Sequence, residues 1–258
     1  MHRNSPSGEV AKLCLLAGKI MLESGGETYR VEDTMIRIAA ACGLEHAHSY
    51  VTPTGIIFAI DGSEPVTRLV RISERSTDLQ KVTDVNDISR KLSQGLLTVE
   101  EAHRLLCELE KKEVGYRFRV KLLSAAIASG CFMIMFGGEW SDFLAAFVIG
   151  GTALCTVTFF HRFVRAKLFA ELLAAIVVGV LSCLTVTAGV GRNLDSIILG
   201  SVMPLVPGLL ITNAVRDLIA GHFVSGLSKG AEALLTAFAI GSGIAFVLSL
   251  YNGTGMIG

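Results

Sequence analysis

The second half of the sequence contains five long stretches without Asp, Glu, Lys or Arg. These stretches cover residues 122–138, 143–160, 172–191, 196–215 and 233–258. A helix needs roughly 17–25 predominantly apolar residues to cross a hydrocarbon core about 30 Å thick. Because each stretch has about that length, the sequence predicts five membrane-spanning helices. The last should end near Tyr251, whose aromatic ring suits the lipid–water interface.

Charged residues are concentrated in the first half of the chain. Residues 1–120 hold 16 Lys and Arg and 17 Asp and Glu, which leaves 7 and 6 for the remainder of the 258 residues. We therefore predict an α-helical polytopic membrane protein: a small N-terminal α+β cytoplasmic domain over residues 1–120, then a five-helix transmembrane domain over residues 121–258. The balanced charge provides no basic surface that would attract nucleic acid, so no nucleic-acid partner is expected. The apolar second half makes the lipid bilayer an expected partner, and a small-molecule substrate is expected as well.

Basic residues near the ends of the predicted spans define the orientation, because Lys and Arg in short loops are retained on the cytoplasmic side. One set of span ends carries Lys111, Lys112, Arg117, Arg119, Lys121, Arg162, Arg165, Lys167, Arg216 and Lys229. The other carries only Arg192, together with Glu139, Asp142 and Asp195. Lys12, Lys19 and Glu23 also interrupt the N-terminal apolar run, so no export signal is expected. The prediction is a multi-pass protein of the plasma or inner membrane, with the N-terminus cytoplasmic and the C-terminus outside.

Cysteine and histidine give no indication of a metal or cofactor. The six cysteines lie far apart, without a Cys-x-x-Cys pair. His46 and His48 lack a third ligand at a suitable spacing, and the sequence has no P-loop. We therefore expect no metal, no cofactor and no direct use of ATP.

An odd number of spans has a consequence for assembly. Two such units in series would face opposite ways in the membrane, which is the plan of inverted-repeat transporters. One unit is then half of a transporter. Small residues at four-residue spacing suggest close helix packing, either within the chain or against a partner subunit. They are Ala146 and Gly150, Ala175 and Gly179, and Ala233, Ala237, Gly241 and Ala245.

The fourth predicted span contains helix-breaking residues near its middle. Pro204 and Pro207 lack an N–H and clash with the preceding turn, and Gly208 adds freedom. A break leaves backbone groups unpaired, so it must face protein or a watery cavity rather than lipid. Discontinuous helices of this kind carry substrate sites in transporters, although a structural kink without a ligand is an equal alternative.

Three polar residues follow the break and are candidates for a substrate pathway. Asn213 and Asp217 are four residues apart on one helix face, and Glu232 opens the fifth span. Acids inside a membrane are functional candidates by default. The alternative is that Asp217 and Glu232 lie at headgroup level, paired with Arg216 or Lys229. Glu171 is expected to be a solvated acid at a helix start.

The N-terminal region alternates between helical and strand patterns. Apolar spacing predicts a helical hairpin over 9–24 and 27–42, and β-rich runs at 48–52, 56–60 and 67–72 predict a three-stranded meander. Further helices are expected at 84–93 and 98–113. The latter is capped by Thr98 and Glu101, and a continuation into the first span is expected. Glu27, Arg30, Asp33, Thr34 and Arg37 share one face of the second helix, which favours a solvated salt-bridge ladder.

Two stretches resemble the signature regions of the threonine/serine exporter family. They are SGGETYRVEDTMIRIAAACG with VTPTGI, and PLVPGLLITNAVRDLIAGHFVSGLSKGAEALL. The resemblance implies a chain like the longer subunit of a split, two-component exporter, a form that in some relatives is tied to succinate. The positions that match the signatures are Glu27, Arg30, Glu32, Asp33, Pro53, Thr54, Gly55, Pro204, Pro207, Gly208, Asn213, Asp217 and Gly221.

Three functions fit these observations to different degrees. The first is a secondary-transporter subunit that exports a small polar metabolite together with a small multi-span membrane subunit or a second copy of itself. The second is a membrane-anchored hydrolase using Thr54 or Ser24, but the sequence shows no nucleophile–base–orienter set, so we expect no enzyme. The third is a regulatory scaffold of a separate channel, which would need no polar pathway.

Overall fold

A computed structural model describes residues 6–61, 65–112, 116–163 and 167–253 of the chain. Parts of the sequence predictions lie outside the described residues: Glu113 at the end of a predicted helix, Arg165 of a basic loop, and positions 254–258 at the C-terminus. The described residues are mostly helical and include one small sheet. They form two compact units. The N-terminal unit comprises Met1–Gly115 and Leu209–Gly230, and the helical unit comprises Tyr116–Gly208 and Ala231–Gly258.

The N-terminal unit begins with the predicted helical hairpin and meander. Its elements are α1 (Pro6–Glu23), α2 (Thr28–Ala41), β1 (Ala47–Thr52), β2 (Gly55–Ile60), β3 (Val66–Arg71), α3 (Leu79–Ser93) and α4 (Val99–Lys111). The strands are antiparallel in the order β1-β2-β3. Gly25, at a φ of +89°, allows the tight turn between α1 and α2 because it has no Cβ. Leu13, Met35, Phe58 and Leu106 are among the fully buried side chains of this core.

The capping box of α4 is present, but two predicted boundaries in this unit are wrong. Thr98 accepts the Glu101 N–H, and the Glu101 carboxylate accepts the Thr98 N–H. Helix α3 begins at Leu79 rather than residue 84, because the Asp78 side chain caps it by accepting the Lys81 N–H at 3.3 Å. Helix α4 does not continue into the first span, since Lys112 has the extended backbone angles φ −71° and ψ 113°.

The helical unit contains four helices that are long and apolar enough to cross a membrane. They are α5 (Phe118–Met135), α6 (Phe143–Phe163), α7 (Lys167–Thr187) and α10 (Phe223–Gly253), of which α10 enters this unit at Ala231. A further pair, α8 (Leu194–Val202) and α9 (Gly208–Ile219), gives a fifth span only if the broken segment counts as one. The described part of the chain therefore has four or five spans. Helix α10 also begins well before the predicted start at residue 233.

Small residues allow close helix contacts in the helical unit. A Cβ added at Gly243 would lie 2.8 Å from Ala175 Cβ, and one at Gly179 would lie 3.0 Å from Val247 Cβ. The predicted role of Ala146, Gly150, Ala175 and Gly179 in packing is confirmed, since all are buried. The stripe of Ala237, Gly241 and Ala245 is exposed instead. Ala233 of the same stripe is buried, so packing within the chain holds for Ala233 but not for these three residues, because α10 turns Thr236, Ile240, Gly243 and Val247 inward.

A buried carboxylate joins two connections of the helical unit. Asp142, with no exposed surface, accepts the backbone N–H groups of Arg192 at 2.8 Å and Asn193 at 3.0 Å. The Arg192 guanidinium also lies 3.3 Å from Glu139. The connection between α5 and α6 therefore meets the one between α7 and α8, as the predicted topology requires.

Candidate functional site

The helix break in the fourth predicted span is present. Helix α8 ends at Val202, a single 3₁₀ turn covers Met203–Leu205, and Val206 is extended at φ −64° and ψ 129° before Pro207. Helix α9 then begins at Gly208. Proline disfavours the helical conformation of the residue before it and supplies no N–H, so the break follows directly from Pro204 and Pro207.

Helix α9 buries Asn213 and Asp217 and exposes several of its apolar side chains. Asn213 and Asp217 are 5% and 0% exposed, whereas Val215 and Ile219 are 50% and 82% exposed. This pattern is the reverse of a helix on a water-soluble protein. It is the arrangement that lipid favours, because polar groups must then be satisfied inside the protein.

Asp217 is the centre of a buried polar cluster within the N-terminal unit. Its Oδ1 accepts the Thr28 N–H at 2.9 Å, and its Oδ2 accepts the Thr28 hydroxyl at 2.9 Å and the Lys229 ammonium at 2.7 Å. Lys229 also donates to Thr28 Oγ1 at 3.2 Å, and its side chain is only 5% exposed. We call Thr28, Asp217 and Lys229 the buried triad. Each charge in it is therefore both paired and hydrogen-bonded, which burial requires.

The position of Asp217 follows from the first turn of α2. Glu27 occupies the N-cap position but makes no side-chain cap hydrogen bond, so the first N–H groups of α2 need another acceptor. Asp217 supplies that acceptor from α9, and its negative charge lies at the positive end of the α2 dipole. The turn at Gly221, with a φ of +86°, then returns the chain into α10 so that Lys229 reaches the same carboxylate.

Two neighbouring contacts hold the same elements together. The Asn213 side-chain amide donates to the Gly25 carbonyl at 2.8 Å. The Glu27 carboxylate, 9% exposed, pairs with Arg216 and lies 3.2 Å from Arg30. The predicted solvated ladder on α2 is therefore wrong for Glu27 and for Thr34, which are buried against other elements, while the exposed pair of Asp33 and Arg37 agrees with it.

Glu32 forms the other end of the cluster. Its carboxylate accepts the Val51 N–H at 2.8 Å and lies 3.8 Å from His222 Nδ1. The Val51 carbonyl in turn accepts the Ser225 hydroxyl at 3.2 Å, which joins β1 to the start of α10. Burial is the main cause of a raised Glu32 pKa, and the negative charge of Asp217 raises it further, against the lowering effects of the Val51 N–H and His222.

The raised pKa of Glu32 predicts a pH dependence of stability. Because the folded state binds this proton more tightly than the unfolded state, stability should fall as pH rises from the unfolded value near 4.5 through the folded pKa. Glu32→Gln keeps an acceptor for the Val51 N–H but cannot ionise. Melting temperatures measured between pH 4 and pH 8 should therefore decline less in this variant than in the parent chain. An identical decline in both proteins would contradict a raised Glu32 pKa.

The remaining residues chosen from sequence fall into two groups. Pro53, Thr54 and Gly55 form the β1–β2 turn, in which the Thr54 carbonyl accepts the Ile72 N–H and the side chain is exposed. Pro204, Pro207, Gly208 and Glu232 belong to the helical unit. The cluster thus brings together Glu27, Arg30, Glu32, Asn213 and Asp217, which come from both signature stretches.

Sequence reasoning missed several members of the cluster. Thr28, His222 and Ser225 were not chosen, and Lys229 entered only as an alternative partner of Asp217. The sequence could have indicated Lys229 as the partner of Asp217, because it lies only twelve residues later, after a turn at Gly221. Glu171 was expected to be solvated but is only 6% exposed, because it faces inward on α7. Among the described residues, no group of three or more His, Cys, Asp or Glu could hold a metal ion.

Comparisons with known proteins agree with this architecture. The family model ThrE, described as "Putative threonine/serine exporter", matches residues 12–251. A threonine/serine exporter of Corynebacterium glutamicum is 26% identical over 249 residues, which cover 93% of this chain and 51% of that protein. A probable succinate transporter subunit, YjjP, of Klebsiella aerogenes is 23% identical over 94% of each chain. The YjjP protein of Escherichia coli is 23% identical over 96% of this chain and 97% of its own length.

The chain thus spans about half of the Corynebacterium relative but nearly all of the two YjjP proteins. No solved structure matches it. Since the family model covers almost the whole sequence, and the helices are long and apolar enough to span a bilayer, the chain belongs to the ThrE family of threonine/serine exporters and is a multi-pass membrane protein.

Proposed function

We propose that this chain is one subunit of a secondary transporter that exports a small polar metabolite, either an amino acid of the threonine/serine type or a dicarboxylate such as succinate. The broken segment from α8 to α9 is the observation that carries the proposal. A chain with four apolar helices for anchoring does not need a fifth that is interrupted by two prolines. Such interruptions occur in transporters because freed backbone groups can bind a substrate or ion.

The second part of the proposal is a partner. The chain corresponds to half of the Corynebacterium exporter and to the full length of proteins named as transporter subunits. Alternating access in inverted-repeat transporters uses two such units. We therefore propose a small multi-span membrane subunit as its partner, or a second copy of the chain inserted in the opposite sense.

The proposed pathway comprises residues on both sides of the break along the chain. Pro204, Pro207 and Gly208 would expose backbone groups to the substrate. Glu232 would supply a carboxylate, and Asn213 and Asp217 act as positioning residues. The bonds of Asn213 to Gly25 and of Asp217 to Thr28 support this last role, because they fix the orientation of α9 directly after the break.

The proposed orientation follows from the distribution of basic residues. We propose that residues 1–120 and the basic loops lie in the cytoplasm and that the C-terminus lies outside, in the plasma or inner membrane. The α5–α6 connection, with Glu139 and Asp142, would then lie outside, and so would Arg192. The contacts of Arg192 with both acids support a common side for the three residues.

Metabolite efflux profiling tests the proposed function. Cells loaded with threonine, serine and succinate would express the chain, a candidate small multi-span membrane subunit, or both. We expect one of these metabolites to leave the cells only when both chains are present. Full efflux from the chain alone would contradict a distinct partner, and no metabolite efflux in any combination would contradict transport.

A further inference from the structure

A second charged feature lies in the N-terminal unit, away from the buried triad. An open cleft of about 510 Å³ is formed by α1, β3 and the end of α4. Four cationic side chains line it, and Glu110 is its one acidic lining residue among those described. The cationic residues are Lys12, Lys19, Arg68 and Arg71.

The single carboxylate satisfies only one of these cations. Lys19 Nζ lies 2.7 Å from Glu110 Oε1, and this hydrogen bond raises the Lys19 pKa. Among the described residues, Lys12, Arg68 and Arg71 have no ion-pair partner within 4.0 Å. Like charges on the walls of a concave surface reinforce one another and attract an anion.

Side chains alternate along a strand, so Arg68 lies on the same face of β3 as Val70, whereas Arg71 lies on the opposite face with Leu69. Lys12 and Arg68 are therefore the two positive charges that an anionic ligand in the cleft would neutralise.

The floor of the cleft is apolar. Leu15 is buried beneath it, while Leu16 and Val70 are partly exposed beside it. A volume of about 510 Å³ is within the range of roughly 300–1,000 Å³ for small-molecule sites. A ligand that fits should thus combine an anionic group with a compact apolar body. The Arg68 guanidinium favours phosphate over other anions, because guanidinium groups bind phosphate oxygens in a bidentate manner.

We propose that this cleft binds a phosphate ester, with the phosphate held by Lys12 and Arg68 and the apolar body lying on Leu16 and Val70. Two sources share this chemistry: a soluble nucleoside monophosphate and the headgroup region of an anionic phospholipid. The site is separate from the buried triad and does not depend on the proposed transport function.

Ligand binding to the full-length chain in detergent tests this proposal. The first probe is AMP in equilibrium dialysis, and the second is short-chain phosphatidylglycerol measured by native mass spectrometry. Lys12→Gln with Arg68→Gln should weaken binding of the preferred probe by about tenfold or more, because charge-assisted hydrogen bonds are lost. The matched control is Arg90→Gln with Arg104→Gln, two exposed arginines outside the cleft, which should leave the affinity within about twofold.

The outcomes separate the two sources and can overturn the site. Saturable binding of AMP that depends on Lys12 and Arg68 identifies a soluble ligand, and the same result with phosphatidylglycerol alone identifies a lipid. The proposal is wrong if neither probe binds saturably or if the control pair weakens binding equally. Should the double variant unfold, Lys12→Gln, at an exposed position, provides the same test and should weaken binding several-fold.

Discussion

Lys229→Met is expected to lower the free energy of unfolding of the N-terminal unit by about 3–5 kcal/mol, because removal of one partner leaves a buried charge uncompensated. Asp217 has no exposed surface, and Lys229 provides its only cation within 4.0 Å among the described residues. The two Thr28 donors remain in the variant but do not neutralise the carboxylate. Thermal unfolding of the purified chain in detergent measures this loss.

Lys91→Met is the matched control. Lys91 lies 2.7 Å from Asp87, the same distance as between Lys229 and Asp217, but both side chains of this helical pair are at least half exposed. Exposed pairs of this kind contribute about 0.3–0.5 kcal/mol, so the control variant should melt close to the parent chain. Equal losses of stability in the two variants would mean that the buried pair of Asp217 and Lys229 contributes no more than an exposed ion pair.

Replacement of both Pro204 and Pro207 by Ala should reduce the initial efflux rate by at least about tenfold, a prediction that rests on the proposed transport function. Alanine restores the missing N–H groups and removes the ring clashes, so α8 and α9 could join into one helix. The freed backbone groups at the break would then be hydrogen-bonded within the helix and lost to the substrate. Stability should hold or rise, because a continuous helix satisfies its own backbone in lipid.

This prediction requires two measurements on one variant. The melting temperature in detergent reports folding, and the initial efflux rate with the partner present reports transport. Pro65→Ala, at an exposed position before β3, is the control and should change neither. If the double variant folds normally and efflux is unchanged, the break is a packing kink and its backbone groups do not line a substrate pathway.

Local patterns predicted much of the architecture. Hydrophobic runs predicted the span-length helices, short β-rich runs predicted the three strands, and Thr98 with Glu101 predicted the start of α4. Pro204 and Pro207 predicted the break because proline acts on its own turn and the one before it. These features depend on residues close together in the sequence.

The composition of the candidate site could not be predicted in this way. Thr28 and Asp217 are 189 residues apart, and no local pattern indicates that a carboxylate on α9 accepts the first N–H of α2. The same long-range packing turned Glu27 from an expected surface ion into a buried partner of Arg216. The charge-free interval 196–215 likewise could not show that residues 209–230 form part of the N-terminal unit. The contacts that join them to it, such as that of Arg216 with Glu27, link residues far apart in the sequence.

The buried ion pair of Asp217 and Lys229 holds the segment 209–230 within the N-terminal unit. A double-mutant cycle of unfolding free energies tests this role most directly. The cycle compares the unfolding free energies of the parent chain, Asp217→Asn, Lys229→Met and the variant with both changes. Each single change leaves one buried charge unpaired, whereas the double change leaves none. We predict that the double variant is more stable than either single variant. Losses that simply add in the double variant would contradict the claim, because additivity means that Asp217 and Lys229 do not interact.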